Sequence, residues 1–251
     1  QWDGVFVGLC FGVTVVSILS MVLLSHVLSR ELRGEFVQAS YRSSVALLGV
    51  AFIQNIYGTA GAAPLMIIGA VPLYNIAAVL ILALMHPDQG GLSRDRLLRT
   101  LKKVVTNPIL IGIVVGMVWS LLRLPQPTIL QKSVDSFAGV ATPMGLIGLG
   151  ASVDPKQAMA RLKPSLLCVF CKLFLFAALF LPLAVWMGYR TDKLVTVLIM
   201  LGSSTTSSSY VMARGQGYDG VLTANTILLT TFLSAFTLTG WLYLLRVMSL
   251  I

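Results

Sequence analysis

Two runs of hydroxyl residues interrupt stretches that are otherwise apolar. Leu201 to Tyr210 reads LGSSTTSSSY, and Ala39 to Leu48 reads ASYRSSVALL, with Arg42, Ser43 and Ser44 at its centre. In a lipid core a free backbone group costs several kcal/mol unless protein or water satisfies it, so a small, polar centre of an apolar span needs a reason. One reason is close helix packing, for which Ser and Thr are common in membranes. The other is binding, in which half-helix N-termini present unpaired N–H groups to an anion. Interrupted spans at corresponding places in two halves favour binding, and they make Ser43, Ser44, Ser203, Ser204, Thr205 and Thr206 candidate substrate ligands.

The isolated cations and amides are judged by depth. Lys172 lies about nine residues into its span, roughly 13 Å from the inner end, too far to reach water easily. An intramembrane cation is a functional candidate, and both anion attraction and a structural pairing remain open for Lys172. Arg42 stands early in its span and is expected to snorkel to the cytoplasmic surface. Asn75 and Asn225 each stand in a long span after an interrupted one, where bonding to the broken neighbour is the structural alternative; Gln54 and Asn55 are expected at the interface.

These residues need a membrane scaffold to position them. Hydrophobic residues make up 57% of the chain and charged residues 11%, against about 25% charged in ordinary soluble domains. Mean hydropathy is +0.88. At about 20 residues per span, the 251 residues hold perhaps eight helices. The spans read 4–28, 36–57, a third reaching 85, a fourth after Asn107-Pro108, 134–153, 166–187, 194–213 and 221–246. Pro64 and Pro72 in the third, Thr142-Pro143 in the fifth and Pro182 in the sixth are expected to kink or break them, and an amphipathic lead-in covers 97–105.

The net charge of +9 does not indicate nucleic acid, because the basic residues sit in short loops without aromatic interleaving. Arg30, Arg33, Arg94, Arg96, Arg99, Lys102, Lys103, Lys156, Arg161, Lys163 and Arg214 fall on one side of the spans. Arg123, Lys132, Arg190, Lys193 and Arg246 fall on the other. The first side is expected to be cytoplasmic and both chain ends, including the C-terminus, to face outward. Cys168 and Cys171 have CxxC spacing, yet with no second Cys or His cluster they indicate packing and not metal or redox chemistry. No cofactor and no metal are expected. Catalysis would need a Ser/His pair, paired aspartates or a metal-ligand set inside the spans, and His26 and His86 stand at span ends. No acidic residue lies deep in a predicted span, so coupling to protons or sodium through a buried carboxylate is not visible.

The last three spans repeat the first three in opposite orientation: an apolar helix, an interrupted helix, a turn at Tyr57-Gly58 or Tyr218-Asp219-Gly220, then a long helix. Two spans precede the second set and none precedes the first, and the chain starts without an initiator Met, so two N-terminal helices are expected to be missing.

Residues 41–49 (YRSSVALLG) and 71–79 (VPLYNIAAV) resemble the first repeat of bacterial permeases of the auxin efflux carrier family. Residues 107–116 (NPILIGIVVG), 141–152 (ATPMGLIGLGAS), 208–213 (SSYVMA) and 230–234 (TTFLS) resemble its second repeat, in the right order. Where the family often has Asn and Pro at its crossovers, this chain has Ser44 and Ser204, whose hydroxyls can still satisfy loosened backbone. The resemblance implies an all-α, polytopic inverted-repeat fold, five helices plus five, with the two broken helices crossing at the substrate site. It implies that 1–89 and 163–251 form the two halves of a transport domain and that 97–155 supplies scaffold helices, through which a homodimer would form. Asn75, in the family-like PLYN segment, becomes the better asparagine candidate.

The function expected is that of a plasma-membrane secondary carrier, not an enzyme, moving a small organic anion by elevator-type alternating access. The family suggests carboxylates such as malonate, malate or auxin-like acids. The alternatives are a truncated, inactive relative and, with least support, an intramembrane enzyme.

Overall fold

Hydropathy and hydrogen-bonding need dictate helices here, since an apolar chain in lipid must satisfy its own backbone. A computed structural model of the protein describes residues 2–45, 49–87, 102, 105–106, 108–122, 124–152 and 154–251. The helices are α1 (Gly4–Leu24), α2 (Arg30–Tyr41), α3 (Val50–Tyr57), α4 (Ala63–Leu84), α5 (Pro108–Leu121) and α6 (Thr128–Ser152). After them come α7 (Pro155–Ala160), α8 (Leu162–Phe170), a π turn (Cys171–Leu175), α9 (Phe176–Trp186), α10 (Thr191–Gly202), α11 (Ser208–Gly215) and α12 (Val221–Val247). Among the described residues, five helical stretches are long and apolar enough to cross a membrane: Gly4–Val27, Ala63–Leu84, Thr128–Ala151, Leu162–Trp186 and Val221–Val247. The protein is an all-α polytopic membrane protein, and the order long, broken, long occurs at both ends of the chain.

The two broken spans are α2 with α3 and α10 with α11. Gly58 ends α3 in the left-handed conformation, φ 72°, which explains the glycine after Tyr57. The break expected at Thr142-Pro143 does not occur: α6 runs unbroken through Pro143 and begins at Thr128, directly after Pro125-Gln126-Pro127. A proline costs one backbone bond, and a helix with intact turns on both sides can absorb that. Pro64 sits in the first turn of α4, where its missing N–H would be unpaired anyway, so it starts the helix and does not kink it. Most of the expected lead-in 97–105, together with Asn107, Arg94, Arg96, Arg99, Lys103 and Arg123, lies outside the described residues.

The core gathers α1, α2, α4, α8, α9 and α10, with Phe6, Phe36, Met66, Phe176, Leu194 and Leu198 fully enclosed. On α6, by contrast, Ile129 is 83% and Phe137 81% exposed. Gly69 sets the approach of α4 to α1, because a Cβ there would lie 2.8 Å from the Val7 carbonyl oxygen and 3.0 Å from Cys10 Cβ. Gly69→Val is therefore expected to cost about 1–3 kcal/mol, read as a lower midpoint of thermal unfolding in detergent.

Carboxylates tie helix starts together. Asp3 caps α1 through Phe6 N at 3.0 Å and accepts from Lys193 Nζ at 2.6 Å, and that ammonium holds the Asp3 carboxyl below its ordinary value. Glu35, in α2, is 1% exposed and finishes the N-terminus of α12 instead of its own helix. It accepts from Gly220 N at 3.1 Å, Thr223 N at 3.0 Å and Thr223 Oγ1 at 2.7 Å.

Candidate anion site at the helix crossing

A broken helix leaves carbonyls without intrahelical donors at the end of its first half and N–H groups without acceptors at the start of its second. In this protein each break supplies what the other lacks. Arg42 leaves α2 in extended conformation (φ −72°, ψ 128°), and Ser203 leaves α10 likewise (φ −74°, ψ 161°). Ser43 Oγ donates to Met200 O, near the end of α10, at 2.5 Å. Thr205 Oγ1 donates to Ala39 O, near the end of α2, at 2.9 Å. Between them Ser44 N donates to Ser204 O at 2.9 Å, joining the crossing segments through backbone. Thr230 Oγ1 of α12 accepts from Thr205 N at 3.0 Å and holds the second break from behind. Ser in place of the family's Asn and Pro thus leaves both breaks intact.

Beside the crossing lies a cavity of about 310 Å³, lined by Arg42, Ser43, Ser44, Val45, Val71, Tyr74, Asn75, Thr206, Ser207 and Ser208. The start of α11 opens onto it at Ser207 and Ser208, so the positive end of that helix's dipole faces the space. Arg42 does not snorkel. It is 2% exposed and turns inward, because Asn75, Ser208 and Met212 offer it fixed acceptors close to its backbone. Its Nη2 donates to Asn75 Oδ1 at 2.9 Å and Ser208 Oγ at 2.8 Å, and its Nη1 donates to Met212 Sδ at 2.6 Å. Every one of those partners is neutral. Its Nε has no partner among the described residues, and no carboxylate there pairs with the guanidinium. A buried guanidinium cannot shed its proton, so it stands charged at the cavity wall without a carboxylate partner among the described residues.

The candidates from sequence divide by where they sit. Ser43, Ser44, Asn75 and Thr206 line the cavity. Ser203, Ser204 and Thr205 are buried and do not line it; Ser204 and Thr205 bond across the break, and the Ser203 hydroxyl has no partner among the described residues. Lys172, fully buried, stands behind Ser43, where its Nζ donates to Ser43 Oγ and, at 3.3 Å, to Tyr41 O. Its amine therefore lies at the carbonyl end of α2. Asn225 is structural: its Nδ2 donates to Ala158 O of α7 at 2.9 Å. Sequence reasoning missed Ser207 and Ser208, which belong to the same hydroxyl run, and Arg42, whose lone position in an apolar stretch was the available signal. Cys168 and Cys171 are free buried thiols, and no cluster of His, Cys, Asp or Glu able to hold a metal occurs among the described residues.

The family model for membrane transport proteins matches residues 4–242 of this chain. The chain belongs to the membrane transport protein family. The resemblance to permeases of the auxin efflux carrier family, drawn from the residues at the crossing, points to the same membership. A protein of Rhizobium meliloti (strain 1021) named "Putative malonate transporter" is 26% identical over 147 residues, 58% of this chain and 46% of the relative. The match thus spans less than half of that relative's length. The cavity of this family member thus brings hydroxyls, an amide and a guanidinium without a carboxylate partner among the described residues to one wall.

Proposed function

We propose that the protein is a secondary carrier of small organic anions of the carboxylate class, malonate or malate among them, working by elevator-type alternating access. The observation that carries this is Arg42, buried at the cavity wall with neutral partners only. A carboxylate in the cavity would replace the missing counter-ion, accept from the guanidinium, Ser208 and Ser44, and face the first turn of α11. The name of the Rhizobium relative supports a carboxylate. In the proposal, residues 1–89 and 163–251 carry the site as a moving unit, and 97–155 forms the scaffold and the surface of a homodimer. The exposed apolar face of α6 supports a partner or lipid there. The basic loops would face the cytoplasm of a cell whose plasma membrane holds the carrier, with the C-terminus outside.

The test is uptake of radiolabelled malonate and malate into proteoliposomes, comparing the wild type with Asn75→Asp. A carboxylate at position 75 would sit where Oδ1 now lies 2.9 Å from Arg42 and would neutralise the cation from within. The variant is expected to fold as well as the wild type and to lose uptake by about 30-fold or more. Unchanged uptake by Asn75→Asp would show that the cavity does not use the charge of Arg42.

A further inference from the structure

Lys172 is the second basic residue at the crossing, and no carboxylate among the described residues pairs with it. It is 0% exposed inside the stretch Leu162–Trp186 and is carried on the π turn Cys171–Leu175, which sets its register toward α2. Its hydrogen-bond partners are a carbonyl, Tyr41 O, and a hydroxyl, Ser43 Oγ. The titratable or charged groups nearest it are the Cys168 thiol from α8, Cys171 on its own turn, Tyr41 and Arg42 from α2 and, past Ser43, Tyr74 from α4. The helix α9 has no titratable side chain. Those of α10 are Asp192 and Lys193 in its first turn, and those of α12 are Tyr243 and Arg246 near its far end. Lys172 is thus an amine enclosed by protein within a membrane-spanning stretch, with no carboxylate beside it among the described residues.

Arg42 and Lys172 differ in one respect that matters here. A guanidinium stays charged under all biological conditions, whereas a buried amine without a counter-ion can give up its proton. Two uncompensated charges in a site that must also exist empty within a membrane would each cost several kcal/mol. An empty site with neutral Lys172 carries one positive charge. With Lys172 protonated and a doubly charged anion bound, the site sums to zero.

We infer that Lys172 takes up one proton when the site binds and releases it when the site empties, so that the preferred substrate is a dianion carried together with a proton. The geometry supplies the route. Ser43 lines the cavity and also bonds Lys172 Nζ, so once its hydroxyl turns from Met200 O to the amine lone pair, a proton from cavity water can pass to Ser43 Oγ as the serine's own proton passes to the amine. No bond other than O–H and N–H is made or broken, and release reverses the transfer. The inference rests on the anion-carrier reading and adds its charge stoichiometry.

The experiment is calorimetric binding of malonate, malate and propionate to the detergent-purified protein above about pH 7, where the acids are fully ionised. Buffers of different ionisation enthalpy report protons taken up. For the wild type one proton is expected per malonate or malate bound, with affinity falling by up to about tenfold for each pH unit once Lys172 is neutral in the empty site. Lys172→Arg, permanently charged, is expected to bind both dianions with no proton uptake and no pH dependence. Lys172→Met is expected to lose both and to bind propionate as well as malonate. Wild-type binding without proton uptake, or undiminished uptake in Lys172→Arg, overturns this inference and leaves the anion site standing. No binding of any of the three acids overturns both.

Discussion

Arg42→Met is expected to give a folded protein whose uptake of malonate and malate falls by about 30-fold to several thousand-fold. The range is what loss of one member of a buried, hydrogen-bonded ion pair costs, about 2–5 kcal/mol. The proposed pair would form only with substrate present, because the wild-type guanidinium has Asn75, Ser208 and Met212 around it and no acid among the described residues. Methionine keeps the stem and its packing while removing the charge, so the fold loses little. Arg42→Lys separates charge from shape. It keeps a cation, but a single nitrogen cannot span the partners that the separate Nη1 and Nη2 of the planar fork reach, and an intermediate loss is expected. Initial rates and KM in proteoliposomes, with gel filtration of each variant, check the result. Full uptake by Arg42→Met would remove the cavity from consideration as the substrate site.

The largest effect on stability is expected at Glu35, far from the proposed substrate. Glu35→Ala deprives Gly220 N, Thr223 N and Thr223 Oγ1 of their acceptor at a place where the carboxylate is 1% exposed. Buried donors left unpaired cost about 1–3 kcal/mol each, so the loss is expected to be about 3 kcal/mol or more. Glu35→Gln keeps one acceptor oxygen for Thr223 and turns an N–H toward another donor, which places it between Ala and the wild type. Thermal unfolding in detergent distinguishes the three. Uptake per folded molecule at low temperature should be unchanged, because Glu35 does not line the cavity. A midpoint within a degree or so of the wild type for Glu35→Ala would show that water replaces the carboxylate.

How much of this was legible beforehand follows from what each signal measures. Hydropathy reports lipid contact, so the long helices and the two interrupted ones could be read along the chain. The hydroxyl runs marked the breaks because polar residues in apolar spans have few other uses. The division of labour within a run was not legible: Thr205 faces Ala39 and Thr206 faces the cavity, and adjacent residues of like chemistry differ only in the direction the extended backbone gives them. Arg42 was misjudged for a related reason. Depth along a span suggests where a long side chain can reach, but Asn75 and Ser208, its acceptors, lie 33 and 166 residues away in sequence. Glu35 was passed over because it stands one residue before the predicted start of its span, where water was expected and the N-terminus of α12 is found instead. Pro143 shows the converse, a breaker whose local preference the surrounding helix overrides.

The exchange of hydroxyls at the crossing also bears on how the chain is made. Ala39 O waits for Thr205 Oγ1, which is synthesised 166 residues later, and Ser43 Oγ waits for Met200 O, 157 residues later. During biogenesis the end of α2 is therefore made before its partners, and only the arrival of the end of α10 and the break after it completes that pairing. The later segment thus finishes the earlier one, and the crossing forms only after α10 has been made.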